Sequence, residues 1–531
     1  MHAVDYWEFP YPSYRRPILA ANTVATSQPL AAQAGLRMLL QGGNAMDAAL
    51  ATAITLTVVE PVMNGIGGDA FALVWADNEL HGLNASGRAP AAWTPEFFSA
   101  HDTMPEHGWG AVTVPGQVDG WARLSERFGC LSFDTLFQPA IEYAEQGFAV
   151  SPVIARQWKM YGDVLQKQPG FADAFLPNGT PPLPGEKWQF AAQAETLKKI
   201  AKSKGRDFYE GELAEQIVRF AQETGGALTL KDLQGHTSEW VTPISINYRD
   251  DYTVYELPPN GQGIAALMGL GMLNHFEPPQ PGKLDTQFHL CIEATKLAFA
   301  DLAAYVSDPM TMGELAQQLL DPAYLAQRAQ LINPDKAGQP TAGIPATGGT
   351  IYLAAADSEG MMVSFIQSNF RGFGSGIVVP DTGIALHNRG SAFSLQAGHK
   401  NQVGPGKRPM HTIIPGFMTY QGAPLAGFGV MGGNMQAQGH MQLIQHLVDL
   451  NHNPQSAIDA PRFRVHESGK IFLEAHTPES TVRALQQAGH PVALQPHDSL
   501  DFGAAQVVLR QQHGGYIGAT DPRRDGTAVG F

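Results

Sequence analysis

Gly348-Gly349-Thr350-Ile351-Tyr352-Leu353-Ala354-Ala355-Ala356-Asp357 is the stretch of sequence that decides the fold. It places a hydroxyl residue after two glycines, at the start of an apolar run typical of a β-strand. The preceding residues 334–349 read PDKAGQPTAGIPATGG, a composition that disfavours both helix and strand. We therefore predict a mobile tail that ends at a scissile bond between Gly349 and Thr350, so that cleavage exposes Thr350 as a new amino terminus.

A second strand follows this one after a turn. The segment MMVSFIQS comes directly after Ser358-Glu359-Gly360, and together they predict a β-hairpin. Antiparallel pairing then sets Thr350 opposite Gln367, give or take one residue, with Ser368 beside it. Two hydroxyl groups at the open end of a hairpin, next to the glycine-rich turn 373–376, indicate a functional site.

A free amino-terminal threonine carries both halves of a catalytic pair. Its hydroxyl attacks, and its α-amine, with a typical pKa of roughly 7.7 to 8.0, accepts the proton near neutral pH. β-Branching leaves the hydroxyl little rotamer freedom to lose. A Gly-Gly-Thr tripeptide alone more often marks only a turn before a strand, so the catalytic interpretation needs further motifs.

Other elements can be placed by their patterns. Asn44 is typical of an N-cap, and the segment after it predicts a helix that ends at Pro61 and is apolar on every face, hence buried. The turn 65–69 leads into the strand candidate FALVWAD. Helical spacing recurs in ELAEQIVRFAQ and FHLCIEATKLAFADLAAYV.

Composition narrows the functional classes. The 531 residues are 44% hydrophobic and carry a net charge of -15 without basic runs, which disfavours nucleic acid and anionic membranes as partners. Cys130 and Cys291 are isolated, so we expect two buried thiols and neither a disulfide nor a metal site. Without an apolar signal region or membrane span, we expect a cytoplasmic protein that binds small molecules.

Several motifs occur in a fixed order along nearly the whole chain: GGNAMDAALA, VVEPVMNGIGGDAF, GRAPAAW, VPGQVDGW, the Thr350 strand, GFGSGIV, KRPMHTIIP, GVMGGNMQ and ATDPRRDG. This order resembles the gamma-glutamyltranspeptidase family of N-terminal nucleophile hydrolases. The resemblance implies an α+β fold, a four-layer αββα sandwich, autocleavage before Thr350 and acyl transfer through a threonyl ester. It also implies a large subunit of residues 1–349 and a small subunit of residues 350–531, which together form one αββα unit.

The family's functional residues carry over by motif. Thr350 matches the nucleophile, and Ser368 matches the family's second threonine, which hydrogen-bonds the nucleophile. Gly432 and Gly433 match the glycines whose backbone N–H groups form the oxyanion hole. Arg88 matches the arginine that binds the substrate carboxylate through its planar fork. Without the resemblance, the glycines would be an ordinary turn and Arg88 a surface arginine.

The segment 387–394 departs from the transpeptidases. Ala392 stands where an acid holds the glutamyl ammonium, and Arg389 replaces a neutral amide. An ammonium group would therefore meet a cation and no anion. Further along, His411 and Thr412 stand in the place of paired serines.

Asn369 precedes Phe370, whereas the family's asparagine comes one position later, so an amide contact is moved or lost. The combined departures predict a pocket for an anionic amide without an α-amino group, with Asn369, Arg389, His411 and Thr412 as substrate contacts. This profile resembles the oxamate amidohydrolases of ureide (purine and allantoin) catabolism, which convert oxamate to oxalate and ammonia.

A gamma-glutamyl hydrolase or transpeptidase and a cephalosporin or glutaryl acylase are the rival functions. Phe370 and Phe373 disfavour the acylase if they narrow the pocket, but they can equally belong to the core. Outside the family, the sequence Gly261-Gln262-Gly263-Ile264-Ala265-Ala266 after YTVYEL imitates a dinucleotide fingerprint, although Pro258 and Pro259 interrupt it.

No H-E-x-x-H motif or close His/Asp cluster indicates a metal. We therefore expect no cofactor and no metal, and we expect the partners to be a small anionic amide and the two fragments of the chain. A non-catalytic binding protein and a homo-oligomer are both compatible with the sequence.

Overall fold

A computed structural model of the chain describes residues 15–339 and 349–531, with residues 349–351 described by their backbone alone. The described strands are β1 Ile18–Ala20, β2 Thr23–Thr26, β3 Asp69–Ala76, β4 Glu79–Ala85, β5 Phe148–Ala149, β6 Lys187–Trp188, β7 Glu239–Val241, β8 Ile244–Tyr248, β9 Tyr252–Glu256, β10 Gly349–Ala356, β11 Met362–Phe370, β12 Val378–Val379, β13 Ile384–Ala385, β14 Gly416–Tyr420, β15 Ala423–Met431, β16 Phe463–Val465, β17 Ile471–Leu473, β18 Val492–Leu494, β19 Ala504–Arg510, β20 Tyr516–Thr520 and β21 Thr527–Gly530.

The described α-helices are α1 Pro29–Leu40, α2 Ala45–Val59, α3 Gln117–Phe128, α4 Gln138–Gln146, α5 Pro152–Leu165, α6 Phe171–Phe175, α7 Ala191–Ser203, α8 Arg206–Glu210, α9 Glu212–Thr224, α10 Leu230–Gln234, α11 Gly263–Leu273, α12 Leu284–Tyr305, α13 Pro309–Met312, α14 Leu315–Leu319, α15 Pro322–Ala329, α16 Met435–Ile444, α17 Pro454–Asp459 and α18 Glu479–Gln487. Helices α9 and α12 confirm the two helical segments expected from their spacing. Within the described residues, no helix combines the length and apolarity needed to cross a bilayer.

Two seven-stranded sheets form the centre of the molecule. The first sheet has the order β21-β2-β10-β11-β3-β4-β7, and the second has the order β1-β20-β19-β15-β14-β9-β8. Apolar side chains from both sheets, among them Phe71, Tyr352 and Phe417, fill the space between them. Helices including α1, α2 and α3 cover the outer face of the first sheet, whereas α11 and α16 cover the second and α12 packs on α11. This arrangement confirms the αββα sandwich.

Both sheets combine strands from the two sides of residue 349. In the first sheet, β10 lies between β2 and β11, and in the second sheet β9 pairs with β14. Neither part of the chain can therefore form a complete sheet alone. The boundary at 349/350 remains a prediction, but two fragments made there would share every layer of the sandwich.

Helix α2 forms as its sequence indicates. Asn44 caps its start, and a reciprocal hydrogen bond between Asp47 and the Asn44 backbone completes a capping box. All residues of the helix are buried, and it ends at Val59, two residues before Pro61.

The hairpin of β10 and β11 carries a β-bulge at its open end. Ile351 pairs with Gln367, whereas Gly349 pairs with Phe370. The backbone of Thr350 therefore faces two residues of β11, 368 and 369, in place of one. The register differs from the expected pairing by one residue, within the stated margin.

Cys291 is buried, but Cys130 is exposed, so the expectation of two buried thiols is wrong for Cys130. Its sulfur contacts the carboxylate of Asp47 at 3.0 Å, at the edge of the α2 cap.

Strand β9, which precedes the imitation dinucleotide motif, pairs antiparallel with both neighbours, so that motif is not part of a parallel βαβ unit. Most of the predicted tail, residues 340–348, lies outside the described residues.

Candidate active site

The site lies at the end of the first sheet where β10 begins and β11 ends. Ser368, one of the two residues facing Thr350, is fully buried, and its hydroxyl accepts a hydrogen bond from the N–H of Phe370 at 2.7 Å. On its other side, Ser368 pairs across the sheet with Asp69, the first residue of β3. Three neighbouring strands therefore bring Thr350, Ser368 and Asp69 to the same end of the first sheet.

The chain leaves β11 through a sharp turn with positive backbone angles. Phe370 has φ 77° and Phe373 has φ 56°, a region that bulky residues rarely adopt. Phe373 packs against Phe171, Phe175 and Trp158, so it belongs to the core and does not line the site. The ring of Phe370 instead contacts the Arg389 guanidinium, whose carbon lies 4.1 Å from the ring centre.

Arg389 begins a short 3-10 helix, residues 389–392, and its side chain is fully buried. Nη1 donates to the hydroxyl of Thr412 at 2.8 Å, whereas Nε and Nη2 have no hydrogen-bond partner among the described residues. Burial lowers the pKa of Arg389, and the charge of Asp69 opposes this effect. Because an arginine begins from a pKa above about 12, the group stays cationic at neutral pH.

Asp69 is the buried anion of the site. One carboxylate oxygen accepts the backbone N–H groups of Gly87 and Gly116 at 3.1 Å each, and the other lies 3.0 Å from Nε2 of His411. Burial by itself raises the pKa of Asp69, but His387 and His411 outweigh burial and hold it well below its usual range. Asp69 is therefore ionised.

His411 is a neutral hydrogen-bonding group. Burial, with the nearby charge of Arg389, lowers its pKa to about 3. The N–H of Ile413 donates to Nδ1 at 3.3 Å, so the proton resides on Nε2 and points at Asp69. His387 approaches the same carboxylate, with Nδ1 at 3.3 Å, and its Nε2 donates to the carbonyl of Thr113 at 2.9 Å.

Sequence reasoning assigned no role to Asp69 or His387. Both lie in segments singled out for other reasons, the glycine-rich turn 65–69 and the segment 387–394. The available signal was an acid directly after a tight turn and at the start of an apolar strand, where a carboxylate is expected to need partners. Among the described residues, no three His, Cys, Asp or Glu side chains are arranged to bind a metal ion.

Asn369 is fully buried, and neither its amide oxygen nor its amide nitrogen has a hydrogen-bond partner among the described residues. Two glycines make room for it. A Cβ at Gly65 would lie 2.8 Å from the amide nitrogen, and one at Gly68 would lie 3.0 Å from the amide oxygen. Asn369 is therefore a second buried polar group with unused hydrogen-bonding capacity.

Gly432 and Gly433 follow β15 and precede the amino terminus of α16. Their φ angles of 119° and 61° favour glycine. The carbonyl of Gly433 accepts bonds from the N–H of Gln436 and from the Gln262 side chain, at 3.1 and 2.8 Å, which fixes the turn. Backbone N–H groups at a helix amino terminus suit a developing negative charge.

The glycine pair lies at the same end of the sandwich as Thr350. Tyr352, two residues along β10, packs directly on Gly429, three residues before Gly432, where an added Cβ would lie 2.4 Å from the tyrosine ring.

Arg88 lies at the edge of this group. Its guanidinium pairs with Glu239 at 2.8 Å, approaches Asp308 at 3.6 Å and donates to the carbonyl of Gly406. Its side chain is 38% exposed, in contrast to buried Arg389. Its chain neighbour Gly87 binds Asp69, so the backbone at Arg88 is coupled to the centre of the site.

The sequence is similar to members of one protein family along nearly its whole length. Residues 31–531 match the model of the family described as Gamma-glutamyltranspeptidase. The glutathione hydrolase-like YwrD proenzyme of Bacillus subtilis is 36% identical, over 96% of this chain and 98% of the relative. The oxamate amidohydrolase proenzyme of Klebsiella pneumoniae is 34% identical, over 94% of this chain and 97% of the relative.

Among solved structures, the cephalosporin acylase from Bacillus halodurans superposes with a TM-score of 0.95 at 46% identity, covering 100% of this chain and 99% of that one. The match spans both sheets and all helical layers. On the family model, the full-length relatives and the shared fold, the chain belongs to the gamma-glutamyltranspeptidase family of N-terminal nucleophile hydrolases.

Proposed function

We propose that this chain cleaves itself between Gly349 and Thr350 and that the released Thr350 then hydrolyses a small anionic amide, oxamate, to oxalate and ammonia. The buried environment of the Arg389 guanidinium is the observation that most strongly supports an anionic substrate. A buried guanidinium with two nitrogens that have no partner among the described residues is costly, and a carboxylate that accepts from both of them removes the cost. The site is thus incomplete until an anion binds.

The charges around Arg389 also argue against a glutamyl substrate. Asp69 is the buried anion of the site, but its oxygens already accept hydrogen bonds from two backbone N–H groups and from His411. Ala392 brings no charge at the position where the transpeptidases hold the substrate ammonium. An ammonium group bound here would face the Arg389 cation without a free carboxylate from the described residues, whereas oxamate has no ammonium to place.

Each residue then has a chemical role. The Thr350 hydroxyl attacks the amide carbon and its proton passes to the α-amine, while the N–H groups of Gly432 and Gly433 stabilise the oxyanion. The C–N bond then breaks, and the α-amine passes the proton to the departing nitrogen. Ammonia leaves, and the acyl group remains on Thr350 as a threonyl ester. Water, deprotonated by the same amine, hydrolyses the ester and releases oxalate.

The substrate carboxylate adjoins the reacting carbonyl, so its ligands must lie close to the nucleophile. Arg389 and Asn369 meet this requirement because Asn369 faces Thr350 across the bulge and Phe370, the next residue, contacts Arg389. Ser368 lies on the other side of the bulge and hydrogen-bonds the nucleophile. Thr412 orients Arg389, and His411 keeps Asp69 in place. Arg88 acts as a further substrate ligand at the edge of the site.

Ammonia release across a panel of amides tests the proposal. Oxamate is expected to be hydrolysed faster than glutamine or any gamma-glutamyl anilide, and glycylglycine is expected not to stimulate turnover. Robust anilide turnover without oxamate turnover would indicate a gamma-glutamyl hydrolase or transpeptidase instead. The Thr350→Ala protein serves as the control for contaminating amidases.

A second candidate function is the removal of an acidic acyl group from a cephalosporin. The observation that favours it is the 46% identity to the Bacillus halodurans acylase over the full chain. A glutaryl group also ends in a carboxylate, but that carboxylate lies three methylene groups from the scissile carbonyl. Glutaryl-7-aminocephalosporanic acid in the same panel separates the two functions, because Arg389 can hold only one of these carboxylate positions.

A further inference from the structure

The turn between β9 and α11 carries a buried amide that contacts two segments of the candidate site. The amide belongs to Gln262, in the middle of the sequence Gly261-Gln262-Gly263 that imitates a dinucleotide fingerprint. Gln262 directly precedes α11, but its side chain makes no capping hydrogen bond within the described residues. Neither a parallel βαβ unit nor helix capping therefore accounts for this side chain.

The backbone of the turn runs beside His411. The N–H of Gln262 donates to the carbonyl of His411 at 2.8 Å, and the N–H of His411 donates to the carbonyl of Asn260 at 2.7 Å. Between them, Gly261 forms a parallel bridge with His411. These bonds fix the backbone of Gln262 next to the segment that carries Thr412.

One nitrogen of the Gln262 side chain binds two backbone carbonyls. Nε2 donates to the carbonyl of Thr412 at 2.5 Å and to the carbonyl of Gly433 at 2.8 Å. A side-chain amide has two such hydrogens, so both are used. The reverse orientation would place Oε1 against two carbonyl oxygens, and the contacts therefore decide which atom is the nitrogen.

The two carbonyls belong to the two parts of the site that the proposed function uses. The Thr412 hydroxyl accepts the hydrogen bond that orients Arg389, whereas Gly433 belongs to the glycine pair that stabilises the oxyanion in the proposed function. Gln262 therefore connects the cation for the carboxylate with the turn for the reacting oxygen. Among the described residues Oε1 has no hydrogen-bond partner, which costs stability, so the contribution of Gln262 lies in its two donated bonds.

Gly263 allows the turn to pack closely on a second group that reaches the glycine pair. A Cβ at Gly263 would lie 2.7 Å from a carboxylate oxygen of Glu256. Nδ1 of His440 lies 2.6 Å from the other oxygen of Glu256, and Nε2 of His440 accepts the N–H of Val430, two residues before Gly432, at 3.2 Å. Close packing on this pair explains the glycine that completes the imitation fingerprint.

We propose that Gln262 is a positioning residue that sets the spacing between the Arg389 guanidinium and the N–H groups of Gly432 and Gly433. This inference rests on the proposed function. In oxamate the carboxylate is bonded directly to the reacting carbonyl, so both parts of the site must meet one very short substrate. A displacement of about 1 Å can cost about 100-fold in rate. Gln262 thereby makes the site selective for an amide whose carboxylate adjoins the scissile carbonyl.

The test uses amides in which the carboxylate moves away from the reacting carbonyl by one methylene group at a time: oxamate, malonamate and succinamate. Ammonia release gives kcat and KM per released Thr350 amino terminus for the wild type, Gln262→Met and Gln262→Asn. Methionine keeps the volume of glutamine without its donors, and asparagine keeps the amide on a side chain one methylene shorter. The melting temperature of each protein is measured in parallel.

Gln442→Met is the matched control. Gln442 is buried like Gln262, and its amide nitrogen also donates to two backbone carbonyls, those of Gln438 and Phe463, at 3.1 Å each. Its loss therefore removes the same kind of contact at a position without a role in the proposed function.

Gln262→Met is expected to lower kcat/KM for oxamate at least about tenfold and to narrow the ratio of oxamate to succinamate at least about fivefold. Gln442→Met is expected to lower the melting temperature but to leave that ratio unchanged. An unchanged ratio in Gln262→Met would overturn the inference, even if all rates fall, because a general structural defect affects the three amides alike. An equal change of the ratio in Gln442→Met would overturn it as well.

If Gln262→Met does not fold, the same criterion applies to Gln262→Asn. A wild type that does not prefer oxamate among the three amides would overturn the proposed function itself. That failure is seen before any variant is compared, so the two failures are distinguishable.

Discussion

Arg389 donates a hydrogen bond to the hydroxyl of Thr412 over 2.8 Å, and both side chains are fully buried. Thr412 fixes the direction of the guanidinium without neutralising it. The remaining nitrogens, Nε and Nη2, have no partner among the described residues. A cation held in this way costs stability, and such a cost is typical of a site that is completed by its ligand.

Replacing Arg389 with methionine is expected to separate activity from stability. The loss of a buried, charge-assisted contact to the substrate typically costs about 2 to 5 kcal/mol, so kcat/KM for oxamate should fall at least about 30-fold. The free energy of unfolding should fall little, because among the described residues the hydrogen bond lost by the guanidinium is the one to Thr412. Steady-state kinetics and urea denaturation measure the two effects.

Arg408 provides the matched control for this substitution. It is buried like Arg389, but it pairs with Glu239 at 2.8 Å and donates to the carbonyl of Ser86. Arg408→Met is expected to lower stability because Glu239 loses one of its two arginine partners and the carbonyl of Ser86 loses a donor. Equal destabilisation by the two substitutions would contradict the view that Arg389 is held unpaired for a ligand.

Arg88→Lys is expected to lower kcat/KM for an anionic amide at least tenfold, which corresponds to about 1.4 kcal/mol. The compact ammonium of lysine cannot maintain the contacts that the Arg88 fork makes with Glu239 and Gly406 while also facing a substrate. Processing should persist. Unchanged kinetics would remove Arg88 from the list of substrate ligands.

The pH dependence of activity is expected to follow the Thr350 amine and not His411. Burial keeps His411 neutral, with a pKa of about 3, so it does not titrate between pH 5 and 9. Activity should rise with pH as the amine, with a typical pKa of roughly 7.7 to 8.0, loses its proton. His411→Gln should lower the rate but leave the midpoint of the pH profile unchanged, and a shifted midpoint would show that His411 titrates in the reaction.

Glu60, the residue after α2, makes stability depend on pH. Burial raises its pKa to about 7, while a hydrogen bond from Ser27 opposes the shift. Because the pKa is raised in the folded state, the stabilisation is complete below the unfolded value of about 4.5 and is lost as pH rises through 7. Glu60 therefore stabilises the folded state more at acidic pH than at alkaline pH.

Glu60→Gln, in an uncleaved Thr350→Ala background, removes this dependence. From pH 5 to pH 8, wild-type Glu60 should lose about 2 to 3 kcal/mol of unfolding free energy relative to the glutamine variant. Urea denaturation of both proteins at the two pH values measures the difference. A constant difference between them would show that Glu60 stays ionised throughout.

Local patterns predicted much of this fold. The cap at Asn44, the all-apolar α2 and the hairpin around Ser358 each depend on contacts within a few residues, which sequence reasoning can follow. The order of strands in the two sheets depends on contacts hundreds of residues apart. The sandwich itself therefore came from the family resemblance and not from periodicity.

The residues of the candidate site were likewise predictable only where local contacts place them. Hairpin spacing placed Ser368 beside Thr350 because both residues lie in one local unit. Asp69 and His387 were missed, since nothing within their segments shows that an acid and a histidine 318 residues apart approach to 3.3 Å. The state of Arg389, with two nitrogens that have no partner among the described residues, was also hidden, because it depends on how the core packs.

Intact mass measurement of purified wild-type and Thr350→Ala proteins tests the central claim most directly. The wild type is expected to give two fragments, residues 1–349 and residues 350–531 with threonine at the new amino terminus, whereas Thr350→Ala gives a single chain. The Arg389→Met protein should cleave like the wild type, since the proposed function gives Arg389 a role in substrate binding and none in processing. A different new terminus, or cleavage that persists in Thr350→Ala, would contradict the claim that Thr350 is the self-generated nucleophile.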